Sequence, residues 1–259
     1  MKRTIDLNCD LGESFGAWTL GQDGQIISCI SSTSIACGFH AGDPQIMRHT
    51  VALARQHGVA VGAHPGLPDL QGFGRRELVM SADEVYALVL YQIGALAAFA
   101  RAAGGRLGHV KPHGALYNMA ARDGRLAAAV AAATRDFDPQ LVLFGLASSR
   151  LIEAGREHSL RVANEAFADR SYEADGSLTP RGERGAVLAD ADEAAQRVIE
   201  MVQGGRVRSR QGTWVPLLVD TICLHGDRPD AALFAQAVRQ RLDAAGLSVR
   251  APFADAAES

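Results

Sequence analysis

Residues 5–13 read Ile5-Asp6-Leu7-Asn8-Cys9-Asp10-Leu11-Gly12-Glu13. A short, largely apolar run gives way at once to polar, acidic and glycine residues. Runs of this length, bounded by glycine or proline, favour buried strands over helices. The same pattern recurs at Ser34–Phe39, Val59–Ala63, Leu107–Val110, Leu141–Gly145, Arg161–Ala163 and Leu217–Leu224. Helical segments separate the runs. Asp43-Pro44 reads as an N-cap with proline at the first helical position, and Gly58 closes that helix. Ser81-Ala82-Asp83-Glu84 is a capping box, and Val85, Leu88, Val89, Gln92, Ile93 and Leu96 follow on one face. Asp190 with Glu193 repeats the device, and Pro229 opens a last helix that Gly246 stops. Alternation without a linker predicts an α/β fold: one (β/α) barrel-like domain over residues 1–253 with about seven parallel strands, and a tail at 254–259. A doubly wound sheet is the alternative, but the chain has neither GxGxxG nor GxxxxGK[ST].

The composition fits this reading. The chain has 259 residues, 47% hydrophobic and 21% charged, which is ordinary for a globular protein. Its net charge of −3 and lack of basic runs argue against nucleic-acid binding. No signal-peptide core and no stretch of about 18 apolar residues is evident, so a soluble, cytoplasmic protein away from the membrane is expected. Cys9, Cys29, Cys37 and Cys223 show neither CxxC nor disulfide-like spacing. Among the 26 basic residues, only Lys2 and Lys111 are lysines.

The residues just past each run carry the chemistry. The first leads into Asn8, Asp10 and Glu13, the second into His40 and Asp43, the third into His64-Pro65, and the fourth into Lys111-Pro112-His113. The sixth leads to Glu165, Asp169 and Arg170, and the seventh to His225-Gly226-Asp227. Barrel enzymes place their active sites at these C-terminal strand ends. His49, His57, His109 and His158 lie elsewhere and read as structural or solvated. Asp10, His40 and His64 offer oxygen and nitrogen donors suited to one divalent ion. Asp10, Glu13 and His113 are candidates to direct water, and Lys111 to steady an oxyanion. Asn8, Glu165, Arg170, His225 and Asp227 are candidate substrate contacts, as are Arg75 and Arg76 in a glycine-bearing loop. Two long connections, Pro65–Met80 and Ser171–Gly185, are of a size that is usually functional or disordered.

Taken in order, these segments resemble the LamB/YcsF family, the A-subunits of 5-oxoprolinases. The matching stretches are 6–13, 36–43, 62–66, 72–76, 110–117, 165–170 and 223–227. The resemblance implies a barrel related to those of glycoside hydrolases and deacetylases. It also implies ATP-coupled opening of the 5-oxoproline lactam to L-glutamate, with partner subunits B and C. Individual catalytic roles do not come with it. Without a P-loop, either the chain binds ATP in an unconventional way or its partners perform the phosphorylation, and the second is expected. Two other readings stand beside this one: a metal-dependent deacetylase or amidohydrolase acting without ATP, and a non-catalytic subunit that binds a small ligand. Self-association into a homo-oligomer is left open.

Overall fold

The computed structural model describes residues 3–180, 182–224 and 230–252. Among the described residues the strands are β1 (Thr4–Leu11), β2 (Ser32–Ala36), β3 (Ala60–His64), β4 (His109–Val110), β5 (Val142–Leu146), β6 (Arg161–Phe167), β7 (Arg206–Arg208), β8 (Trp214–Pro216), β9 (Thr221–Leu224) and β10 (Ser248–Val249). Six of them continue around β1 in the order β1-β2-β3-β4-β5-β6-β9, every pair is parallel, and β9 pairs back with β1. The predicted seven-strand barrel is therefore closed. Each predicted run overlaps one barrel strand. The sequence pattern did not reveal β10, which extends β1 at its start, or the antiparallel β7–β8 hairpin.

Helices α1 (Asp23–Ile26), α2 (Pro44–Gln56), α3 (Ala82–Ala102), α4 (Gly114–Arg122), α5 (Gly124–Phe137), α6 (Arg150–Glu157), α7 (Ala191–Gly204) and α8 (Ala231–Ala244) lie between the strands. Their starts follow the predicted local chemistry. Asp43 accepts from the amides of Gln45 and Ile46 with Pro44 at the first helical position, Ser81 and Glu84 form a reciprocal capping box, and Asp190 accepts from the Glu193 amide. Pro229 and the predicted 254–259 tail lie outside the described residues. Among the described residues, α3 is the one helix long and apolar enough by composition to cross a membrane. It buries Val85, Val89, Ile93 and Leu96 in the shared hydrophobic core.

Strand periodicity then sorts the side chains. Ile5, Leu7, Cys9 and Leu11 of β1 join that core, together with Ile35, Val61, Val110, Leu143 and Ile222 from neighbouring strands. The alternate set forms a polar column. Asp6 accepts from the Ser31, Ser32 and Thr221 hydroxyls, and Asn8 donates to Thr221 and Glu165. His109 bonds Ser34 and stacks on Phe144 at 4.2 Å, over the space left by the missing side chain of Gly62. The structural role expected of His109 thus has a concrete form. A hydrogen-bonded interior of this kind fixes the barrel's register, because a one-residue slip would leave these groups unpaired.

Candidate active site

At the C-terminal ends of the strands this column meets the cavity. Lys111, just past β4, reaches into the barrel with its side chain 2% exposed. Its Nζ lies 2.7 Å from Asp10 Oδ1 and 3.1 Å from Glu165 Oε1, and it donates to Asn8 Oδ1 at 2.8 Å. Burial opposes an ammonium, but the carboxylates, Asp10 foremost, outweigh it and hold the lysine well above its ordinary value. Burial likewise opposes ionisation of Asp10, but His64 and Lys111 together hold that carboxyl well below its usual range. The central charge is therefore a fixed ammonium rather than a lysine poised to lose its proton.

On the other side of Asp10 stands an imidazole cluster. His64 Nε2 is 3.2 Å from Asp10 Oδ2 and 3.0 Å from His113 Nδ1. Glu13 Oε1 is 3.4 Å from His113 Nδ1 and 3.6 Å from His40 Nε2. The His40 and His113 rings stack in parallel, 3.7 Å apart. Donor atoms of Glu13, His40, His64 and His113 all lie within 4.8 Å of one another. The sequence grouped Asp10 with His40 and His64; here Asp10 is committed to Lys111 as well as to His64, while Glu13 and His113 complete the group around His40. Burial, and next the adjacent imidazoles, depress His40 and His113 well below the ordinary histidine value. Burial pushes the Glu13 carboxyl up.

Two loop glycines in this region, Gly66 and Gly74, are explained by His40. A Cβ on Gly66 would collide with its ring. One on Gly74, whose φ is +63°, would stand 2.8 Å from His40 Cβ and 2.9 Å from His113 Cδ2. Between Gly72 and Gly74, Phe73 takes a left-handed φ of 54°, and its carbonyl accepts from His113 Nε2 at 2.8 Å. A non-glycine residue in that region stores strain, here at a contact that orients a site side chain. Gly66 is clamped in turn by Gln92 of α3, which accepts from its amide and donates to its carbonyl, both at 2.9 Å. Helical spacing placed Gln92 on the apolar face. A buried amide on such a stripe was itself the available signal.

Above the cluster opens a cavity of about 660 Å³, a size typical of small-molecule sites. Asp10, Glu13, His64, Lys111, His113 and Glu165 line its floor. Tyr117, Leu146, Phe167 and Leu178 give it an apolar wall that sequence patterns did not identify. Both long connections contribute: Arg75 and Glu77 from the first, and Ser177–Pro180 from the second.

The remaining candidates divide. Arg75 and Arg170 line the cavity, and Arg170 also donates to the Thr179 carbonyl. Arg76 does not line it; its guanidinium pairs with buried Asp69 and its side chain is 65% exposed. Asn8 is likewise absent from the lining, fully buried beneath it and saturated by Lys111, Glu165 and Thr221. It braces the lysine rather than facing a ligand. Asp169 is buried, and Asp43 caps α2. His225 and Asp227 lie outside the described residues.

Comparison with known proteins bears on the fold and the family. Residues 5–258 match the family model described as the LamB/YcsF family. The 5-oxoprolinase A-subunit of Geobacillus kaustophilus (strain HTA426) is 61% identical over 250 residues, covering 96% of this chain and 97% of that protein. That of Bacillus subtilis (strain 168) is 57% identical over 247 residues, covering 95% and 96%. The crystal structure of a lactam utilization protein from Thermus thermophilus superposes with a TM-score of 0.92 at 50% identity, covering 96% of this chain and 99% of that one. With nearly its whole length matched by the family model and by relatives of this similarity, the chain belongs to the LamB/YcsF family.

Proposed function

We propose that the chain is the lactam-opening subunit of an ATP-dependent 5-oxoprolinase, working with partner subunits B and C. The observation that carries the reading is the buried Lys111 ammonium, fixed by Asp10 and Glu165 at the floor of a cavity with both apolar and cationic walls. The names of relatives at 57% and 61% identity support the substrate, and their designation as one subunit of several supports a complex. The four cysteines are free and buried, which supports a cytoplasmic place.

A lactam is a resonance-stabilised amide, so its opening needs an activated carbonyl, a base and stabilisation of developing negative charge. Phosphorylation of the lactam oxygen at the expense of ATP supplies the activation. With no P-loop in this chain, that step belongs to the partners. Glu13 then takes a proton from the attacking water; its carboxyl, raised by burial, is a stronger base than an ordinary glutamate, whereas Asp10 is held well below the usual carboxylate range. Water oxygen bonds to the ring carbon as the C=N pair moves onto nitrogen, which takes up a proton, and Lys111 offsets the negative charge of the phosphorylated oxygen. The new hydroxyl then loses its proton as the C–N bond breaks, giving an acyl phosphate, and a second water displaces phosphate from it to leave L-glutamate. Arg75, on the cavity rim with its guanidinium 4.9 Å above the Phe73 ring, holds the substrate carboxylate.

Reconstitution tests the reading. The chain with subunits B and C should release glutamate and phosphate from 5-oxoproline and ATP, and the chain alone should release neither. Robust turnover by the isolated chain would refute the division of labour.

A further inference from the structure

We propose that His64 Nε2, His113 Nδ1 and the Glu13 carboxylate bind one divalent transition-metal ion, with His40 as a weaker fourth donor; the ion takes up the oxygen that Glu13 uses as a base, so the metal-bound and base-competent states of the site exclude each other. Two backbone carbonyls fix the tautomers. His64 Nδ1 is 2.7 Å from the Lys111 carbonyl oxygen, and His113 Nε2 is 2.8 Å from the Phe73 carbonyl oxygen. A carbonyl only accepts, so each of those ring nitrogens carries the hydrogen. In the neutral rings, His64 Nε2 and His113 Nδ1 are then bare lone pairs, and they face each other at 3.0 Å. Carboxylate oxygens stand beside both: Asp10 Oδ2 at 3.2 Å from the first and Glu13 Oε1 at 3.4 Å from the second. Four electron-rich atoms repel at such separations unless a positive centre lies among them.

A proton on His64 Nε2 would serve its contacts with His113 and Asp10 but leave Glu13 Oε1 and both His40 nitrogens without a partner. A metal ion relieves the whole set, and the tautomers are already those of metal-ligating histidines, each with its far nitrogen tied to a carbonyl. The rings of His64 and His113 are nearly perpendicular, at 87°, and the two nitrogens approach to 3.0 Å, a separation that neighbouring ligands of one ion can adopt. Among the described residues, Glu13 Oε1 and both ring nitrogens of fully buried His40 make no hydrogen bond. Such orphaned buried groups are rare without a ligand to satisfy them. His40 lies parallel to His113, so its lone pair meets the same point only obliquely, which makes it the weakest donor. Two imidazoles and a carboxylate suit zinc, cobalt, manganese or ferrous ions rather than calcium or magnesium.

Binding of the ion, rather than turnover of substrate, is the quantity to measure. Cobalt(II) titrated into the chelator-stripped full chain should give visible ligand-field bands that saturate at one ion per chain. Glu13→Gln and His113→Gln should each weaken cobalt affinity by about tenfold or more. In the wild-type chain, saturating zinc should shift the nitrogen resonances of His64 Nε2 and His113 Nδ1 and leave the other nitrogen of each ring protonated. Absence of cobalt bands, bands undiminished in both variants, or ring resonances unmoved by zinc would each overturn the proposal.

Discussion

Lys111 Nζ lies 2.7 Å from Asp10 Oδ1 inside the closed barrel, with the lysine side chain 2% exposed and Glu165 Oε1 on another side at 3.1 Å. The pair joins the polar column below to the imidazole cluster above. Removing the cation leaves two carboxylates facing each other in a dry interior. Lys111→Met should therefore lower unfolding free energy by about 3–5 kcal/mol in urea titrations and abolish glutamate formation by the reconstituted complex. Adding Asp10→Asn to that variant should restore part of the stability and none of the activity. Lys111→Arg should also fail, because a planar fork cannot occupy a pocket already filled by Asn8, Glu165 and Cys223. Full activity in that variant would return the lysine's isolation among arginines to compositional drift.

Glu13 carries the pH dependence. Its carboxyl is raised by burial, so a base role requires activity to fall as pH drops through a value above that of an ordinary glutamate. Plots of kcat/KM against pH for the complex should show this acid limb, and Glu13→Gln should remove the limb together with most of the rate. An acid limb that survives unchanged in a variant retaining activity would assign the base elsewhere.

Much of this arrangement was legible in the sequence, for reasons of periodicity. Barrel strands are short apolar runs with abrupt polar ends, and their C-terminal ends face one mouth, so Asp10, His40, His64, Lys111, His113 and Glu165 follow from one rule. Direction and depth were not legible. Nothing in Asn8 shows that it lies below the lysine, or in the pair Arg75-Arg76 that only the first lines the cavity. Those outcomes depend on strand register and on buried Asp69, a partner supplied by the loop itself. The apolar wall was invisible for a related reason: Leu146 and Phe167 end strands whose residues alternate between core and barrel interior, and only barrel closure turns them toward the site.

Gln92 acts on the site at one remove. It ties both polar groups of Gly66, the glycine that packs against the His40 ring. Gln92→Leu preserves approximate size and deletes the clamp, leaving a buried amide and carbonyl unpaired. Unfolding free energy should fall by about 1–3 kcal/mol, and kcat should fall more than KM rises, because an imidazole has shifted while the cavity remains. Gly74→Ala should act in the same direction and more severely, through its +63° φ and the approach to His40 and His113.

Asp6 gives a stability signature independent of catalysis. Burial raises its carboxyl from 3.8 to about 6 despite three hydroxyl donors. The folded state therefore holds the proton more tightly than the unfolded state. Its stabilising contribution is complete below about pH 4 and is lost as pH rises through about 6, a change of roughly 3 kcal/mol at most. Asp6→Asn cannot ionise, so the difference between wild-type and variant urea stabilities should shift in the variant's favour between about pH 4 and 7. A pH-independent difference would show that the hydroxyls compensate the buried charge fully.

The two adjacent arginines separate binding from scaffolding. Arg75 lines the cavity, so Arg75→Gln should raise KM for 5-oxoproline by about tenfold or more, the loss of a charge-assisted contact, with little change in unfolding free energy. Arg76 is bound to Asp69, whose other contacts include the Gly72 and Arg76 amides of the same loop. Arg76→Gln should leave KM within a few-fold of wild type and lower stability instead, because Asp69 is buried and loses its partner. Steady-state kinetics beside thermal melts would read both effects in one pair of variants. The reverse pattern, with KM responding to Arg76 and stability to Arg75, would mean that the loop turns over when substrate enters, and the carboxylate clasp would then belong to Arg76.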